Sequence, residues 1–274
     1  METKQGNRRT ILTAGLAAGA AAATLASTIQ EAKAQQVSKI LGDIQSRGAI
    51  RMATVAGNPP YSSFKPDGTP EGYDIDIGNQ FAAAIKVKPN WFVVDTPGRI
   101  AALQTGKADI TVANFTNTIE RSTAIAFTRP YVIVGSNYVV KKESPLQKVE
   151  ELNDPQHKVG VPRGGTGEII CQATTPNATM VRFNTVNDIF LALQTGQIDS
   201  QIMDSLQNSA FLSKEGSRYR NLPGNYSYEE IAIGLPAGDW DWYRIVDAFT
   251  RQLIGSGDDA KLFKKWFGYD LPPI

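Results

Sequence analysis

The sequence predicts an α/β fold of two similar lobes joined by two crossings of the chain, and three observations carry that prediction. First, an octapeptide recurs: Ala102-Leu103-Gln104-Thr105-Gly106-Lys107-Ala108-Asp109 reappears 90 residues later as Ala192-Leu193-Gln194-Thr195-Gly196-Gln197-Ile198-Asp199. Second, upstream of each copy a short β-prone run, Ile50 to Val55 and Lys158 to Val161, leads through a Gly/Pro loop into a helical pattern, so both copies sit in units of the same plan. Third, Tyr131 to Val140 reads as extended chain leaving the first unit, and a second crossing is expected near Tyr226 to Ile231. With 274 residues, 42% apolar and 20% charged, the chain can bury two lobes of ordinary domain size, which excludes a disordered or fibrous protein.

Residues 1–34 read as a leader. Asn7-Arg8-Arg9-Thr10-Ile11-Leu12 precedes an Ala- and Gly-rich run to Ala26, and Ala32-Lys33-Ala34 is the small-residue pattern that a signal peptidase cuts after. The paired arginines and the weak hydrophobicity are twin-arginine-like. An uncleaved anchor helix is the alternative, and Thr24, Ser27 and Thr28 interrupt a run already poor in Leu and Ile. No cysteine stands at the cut for lipid attachment, so a freely diffusing monomer in a periplasm is expected.

The remaining elements follow in order. Residues 35–134 are assigned to the first lobe, 135–229 to the second and 230–274 to a return into the first. In each repeat, apolar residues at helical spacing (Ile100 and Leu103; Ile189 and Leu193) lead to a glycine suited to the left-handed position after a helix, Gly106 or Gly196. A β-prone run follows each, Ile110 to Val112 and Ile202-Met203. The return predicts two amphipathic helices, one with Trp242, Ile245, Val246, Phe249 and Leu253 on its apolar face, the other with Leu262, Phe263, Trp266 and Phe267, separated by Gly255-Ser256-Gly257. Two crossings imply two hinges, and so a cleft that can close.

Composition excludes several functions. A formal charge of +1, with no basic block in the body of the chain, gives no footprint for nucleic acid. One cysteine, Cys171, cannot form an internal disulfide or a Cys-based zinc site. One histidine, His157, removes most His-dependent hydrolase and metalloenzyme chemistry. No metal and no cofactor are expected, and the partner should be a small molecule.

The order of motifs resembles the amino-acid-binding family of periplasmic solute-binding proteins, family 3, the soluble receptors of ABC importers. The pieces are Pro59-Pro60-Tyr61-Ser62-Ser63-Phe64 with Gly68 and Glu71-Gly72-Tyr73-Asp74-Ile75-Asp76; Arg99-Ile100 with Leu103, Gly106-Lys107 and Asp109; Thr118 and Arg121, then Phe127-Thr128 and Pro130-Tyr131; Val159-Gly160-Val161 with Gly164-Gly165-Thr166; Asp199 and Asp204; and Lys265-Trp266-Phe267. The resemblance implies the two-lobed type II periplasmic-binding-protein fold with a two-strand hinge, an amino acid as ligand and a permease as partner.

A planar guanidinium can hold a carboxylate through two parallel bonds, and Thr118 at a helix start would put Arg121 in the first turn. The resemblance implies that Arg121 binds the ligand α-carboxylate, with contacts from Ala113, Asn114 and Thr116; a solvated surface Arg is the alternative. The turn Arg163-Gly164-Gly165-Thr166-Gly167-Glu168 offers backbone N–H groups to an anion, and the resemblance implies that Gly165 and Thr166 complete the carboxylate site; a tight surface turn is the alternative. Asp204 resembles the family aspartate that accepts the ligand ammonium, and it also reads as a helix N-cap. Asn58 and Thr96 stand where many relatives carry aromatic stackers, and both, with Tyr61 from the same loop as Asn58, are expected to touch the ligand. Val55 replaces an acid of cation-binding relatives; Arg99 and Thr96 match positions that bind the ligand's side-chain carboxylate in glutamate/aspartate-binding relatives, whose second arginine is also replaced by Val55. A polar or acidic amino acid is therefore expected, although Arg99 could instead pair with Asp95. Two other readings share the fold: a cyclohexadienyl-dehydratase-like enzyme, for which Glu168 and Glu229 are the candidate acids, and a ligand sensor for a membrane partner.

Overall fold

The computed structural model describes residues 38–272, so the leader expected over residues 1–34 lies outside the described residues. Each lobe is built on a five-stranded sheet with helices on both faces. In the first, the strand Ala49–Val55 lies parallel to Lys88–Val94 on one side and to Ile110–Thr111 on the other. The strand Gly234–Leu235, returning from the C-terminal part of the chain, then runs antiparallel to Ile110–Thr111 and to the edge strand Ala126–Phe127. The second sheet repeats the plan. Lys158–Pro162 lies parallel to Thr179–Phe183 and Ser200–Asp204, and Ser136–Lys141 adds antiparallel, followed by the edge strand Tyr219–Asn221.

The central strands are buried in runs rather than at alternate residues, because each sheet is covered on both faces. Ile50 and Met52 enter the larger first-lobe core with Phe81, Trp242 and Phe263, while Ala53 faces a smaller one with Leu103, Phe115 and Phe127. Val159 and Val161 pack with Tyr138 and Ile202 on one face of the second sheet; Val139, Ile189 and Leu193 fill the other.

The octapeptide copies adopt one conformation. The helices Gly98–Gln104 and Val186–Thr195 both stop at a left-handed glycine, Gly106 (φ 67°) and Gly196 (φ 75°), where a side chain would be strained. The first crossing divides into Val132–Val134 and Ser136–Lys141 at Gly135. The second is Glu229–Ile231, paired antiparallel with Val132–Val134 so that Glu229 faces Val134, and these two strands are the hinge. The return forms the helices Trp240–Gly255 and Asp258–Phe267, whose Trp242, Val246, Leu253, Phe263 and Phe267 are buried in the first lobe.

Candidate functional site

In both sheets the parallel strands end at the same place, the crevice between the lobes, where open α/β sheets bind ligands. A cavity of about 630 Å³, its mouth included, opens there. Its wall comes from the segments that follow five of these strand ends: Val55 and Asn58, Thr96 and Arg99, Ala113 to Thr116, Pro162 to Gly167, and Asn184 to Val186; Asp204 ends the sixth strand.

Arg99 organises the first-lobe side. Its Nε donates to the Thr96 carbonyl (2.8 Å), and one terminal nitrogen donates to the carbonyls of Ala113 and Asn114 (3.1 Å each). The guanidinium lies 4.3 Å from the centre of the Phe115 ring. Asp95 is not its partner, since Asp95 accepts from Gly98 N–H instead. Burial, with the neighbouring Arg121 guanidinium, lowers the proton affinity of Arg99 from the usual arginine range. Arg121 occupies the short helix Ile119–Ser122, whose cap Thr118 accepts from Arg121 N–H. Its guanidinium, over the same Phe115 ring, donates to Thr116 O (2.8 Å) and, across the cleft, to Gly164 O (3.2 Å).

Asn114 holds a positive φ of 45°, fixed by a bond from its N–H to Asp74 Oδ2 (2.6 Å). Asp74 is fully buried, accepts also from the Tyr131 hydroxyl (2.8 Å), and is pushed by that burial up to about 7. The Asn114 side chain then donates across the cleft to Asp204 Oδ2 (2.7 Å). These two residues stand in register in the sequence repeat, 90 positions apart, so the pseudo-equivalent positions of the two lobes meet. Asp204 is also the N-cap of the helix Ser205–Glu215, its Oδ1 accepting from Gln207 N–H (2.8 Å). The two roles that the sequence offered for Asp204 coexist. Burial pushes its carboxyl up to about 7, against donation from Gln207 and Asn114, and Glu229 adds repulsion.

Of the sequence-selected residues, Asn58, Thr96, Arg99, Ala113, Asn114, Thr116, Arg121, Gly165, Thr166 and Asp204 line this one cavity. Tyr61 does not. It is fully buried, its ring 5.4 Å from that of Phe267 and 6.3 Å from that of Tyr73, because the turn closed by Tyr61 N–H on Asn58 O sends the side chain back into the first-lobe core. The glycine-rich turn is also less open than expected, since Glu168 accepts from Gly164 N–H (2.6 Å) and pairs with Arg182 (2.8 Å), away from the cavity wall. Sequence reasoning missed Ser136, Asn184, Thr185 and Gln207, and it named Glu229 only as a candidate acid of the enzyme alternative. The repeat could have found part of this set: Thr96 shifted by 90 residues falls on Val186, beside Asn184 and Thr185.

A sequence model of the bacterial extracellular solute-binding proteins, family 3, matches residues 50–269. The L-arginine-binding protein of Pseudomonas aeruginosa is 28% identical over 236 residues, covering 81% of this chain and 89% of that protein. The ABC transporter glutamine-binding protein of Bacillus subtilis is 29% identical over 203 residues, 73% of this chain and 74% of that one. Among solved structures, an ancestral amino acid-binding protein described as a precursor of cyclohexadienyl dehydratase superposes with a TM-score of 0.78 at 30% identity, covering 83% of this chain and 99% of the other. The architecture is thus the type II two-lobed fold of periplasmic amino-acid-binding proteins.

Proposed function

The chain belongs to the bacterial extracellular solute-binding proteins of family 3, and from that premise we propose that it is the periplasmic substrate-binding component of an amino-acid ABC importer, capturing a polar or acidic L-amino acid between its lobes and delivering it to a membrane permease. One observation carries the reading: a guanidinium of the first lobe, Arg121, and a carboxyl group of the second, Asp204, line the same cavity. A free amino acid carries both complementary charges. Arg121 takes the α-carboxylate, Asp204 takes the α-ammonium, and the two contacts together are made only when the lobes approach.

The wall supports the side-chain preference. Among the described residues its lining includes no aromatic ring, and it carries the amides of Asn58, Asn184 and Gln207 and the hydroxyl of Thr96. Among the described residues, the second terminal nitrogen of Arg99 donates to no acceptor, which leaves a cationic donor for a ligand oxygen. The dehydratase alternative would require an acid aimed at the ligand. Glu168 stands outside the cavity wall, and Glu229 is enclosed by four hydroxyls.

A thermal-shift and calorimetric screen of residues 35–274 against the common amino acids tests the proposal. Polar or acidic amino acids should raise the melting temperature, since ligand at about 100 times its Kd adds about 2.7 kcal/mol, and lysine and arginine should not. A screen in which no amino acid stabilises the protein would overturn the reading.

A further inference from the structure

Glu229 is a carboxylate of the cavity wall that the sequence repeat does not account for. It begins the hinge strand Glu229–Ile231 and is buried, with 4% exposure. One carboxylate oxygen accepts from the hydroxyls of Thr116 (3.0 Å) and Thr166 (2.5 Å); the other accepts from those of Ser136 (2.6 Å) and Ser227 (2.7 Å). A carboxylate has about four acceptor sites, so the four hydroxyls fill it.

These donors come from different bodies. Thr116 belongs to the first lobe, where its loop bridges to Ile231. Thr166 begins the second-lobe helix Thr166–Thr174, and Ser136 begins the second-lobe strand at the end of the first crossing. Ser227 lies just before Glu229 in the second crossing. Each hydroxyl has one proton, and a carboxylate only accepts, so Thr116 and Thr166 direct their protons to Glu229 and turn only lone pairs elsewhere. The two hydroxyls that the family resemblance reserves for the ligand carboxylate are thus engaged by a carboxylate of the chain itself.

We propose that Glu229 is a built-in closure latch: a hinge-borne anion that bridges Thr116 of the first lobe and Thr166 of the second and holds the cleft shut independently of ligand. Glu229 stands on the hinge about which the lobes turn, and its bonds to Thr116 and Thr166 are made together only when the lobes are closed, so opening gives up at least one of them. Other bonds that cross the cleft are Asn114 to Asp204, Gln207 to Asn58 (2.5 Å), Arg121 to Gly164 and Val186 N–H to Gly57 O (3.2 Å). Because charge-assisted bonds exceed neutral ones in strength, the bridge biases the open–closed equilibrium toward closure before any ligand arrives. This goes beyond the amino-acid-receptor reading and rests only on two hinged lobes.

The test uses residues 35–274 stripped of bound small molecules by unfolding and refolding, and reads X-ray scattering with no ligand added, so it can succeed or fail whatever the protein binds. Wild type, Glu229→Gln, Thr166→Val and Ser227→Ala are compared, with circular dichroism confirming that each is folded. Glu229→Gln keeps the volume but loses two acceptor sites; Thr166→Val keeps the shape but loses the donor that the second-lobe helix supplies. Both should expand by a similar amount, on the order of 1 Å in a radius of gyration near ~18 Å for a compact chain of this length. Ser227→Ala, which removes a bond within the hinge segment, should scatter as wild type. The latch is overturned if Glu229→Gln and Thr166→Val superpose on wild type, or if Ser227→Ala expands as they do, since the carboxylate would then only shape the hinge. Should Glu229→Gln fail to fold, Thr166→Val decides the matter alone.

Discussion

Asp204 accepts from its own helix through Oδ1 and from Asn114 across the cleft through Oδ2, yet burial still pushes its carboxyl from 3.8 up to about 7. Between those values the folded protein holds the proton that the unfolded chain releases. The resulting stability is fully present below the unfolded value and is lost as pH rises through about 7. At pH 8 the group is an ionised, buried anion, held by bonds that do not repay its desolvation. Asp204→Asn removes that cost while keeping the cap, because an amide oxygen still accepts from Gln207. Its new N–H₂ also finds a partner, since Asn114 Oδ1 is buried without one and an amide flip presents it. The variant should therefore melt several degrees above wild type at pH 8 in the absence of ligand, each kcal/mol being worth about 2–4 °C at this size. The gain should shrink toward pH 4–5. A lower melting temperature at pH 8 would mean that the ionised carboxylate is net stabilising. The same substitution should weaken amino-acid binding at least about tenfold, because an amide receives an ammonium less well than a carboxylate does.

At the scale of elements, the repeat made the plan of the molecule legible: two helices that stop at left-handed glycines, followed by strands that end at one crevice. Local chemistry determines such features, so a sequence displays them. The same repeat contained the Asn114–Asp204 meeting, visible only once both lobes are placed. The packing of Tyr61 and the partners of Glu229, a residue named only as a candidate acid, were illegible for a physical reason. Beyond the turn at Asn58, the Tyr61 ring packs on Phe267, about 200 positions away, and the four partners of Glu229 come from four separate segments. No local pattern encodes either. The C-terminal helices were read correctly as core, and Trp242 shows why the chain returns: it is fully buried, donates from its indole to Asp109 O (3.1 Å), and packs 5.7 Å from the Phe81 ring. Trp242→Ala should cost about 3–5 kcal/mol. Urea unfolding should then begin at a clearly lower concentration, led by probes in the first lobe. Equal loss reported from both lobes at once would show that they unfold as one cooperative unit.

At the scale of the whole molecule, the position of the cleft is an equilibrium on which two kinds of contact act, and they can be separated. Apparent affinity equals intrinsic affinity scaled by the fraction of molecules already competent to bind, so a closure device and a ligand contact both alter Kd while leaving different traces in the free protein. Arg121 is placed to act on the ligand. Its guanidinium is held by Thr116 O, and its one cross-lobe bond, to Gly164 O at 3.2 Å, is exposed to solvent and therefore weak. Burial lowers its proton affinity, and the negative charges of Glu229 and Glu120 offset part of that effect, so it stays a cation facing the cavity. Truncating one partner of a buried charge pair costs about 2–5 kcal/mol, and about 1.4 kcal/mol is tenfold in affinity. Arg121→Ala should thus weaken amino-acid binding by about 30-fold to several thousand-fold in calorimetry. Its ligand-free scattering and melting temperature should stay near wild type, because neither lobe's core contains it. An Arg121→Ala protein that binds as tightly as wild type would remove Arg121 as the carboxylate anchor and pass that role to Arg99, the other guanidinium in the wall. If affinity falls and the ligand-free protein also expands, Arg121 acts chiefly on closure, and the zwitterion clamp reduces to the Asp204 contact alone.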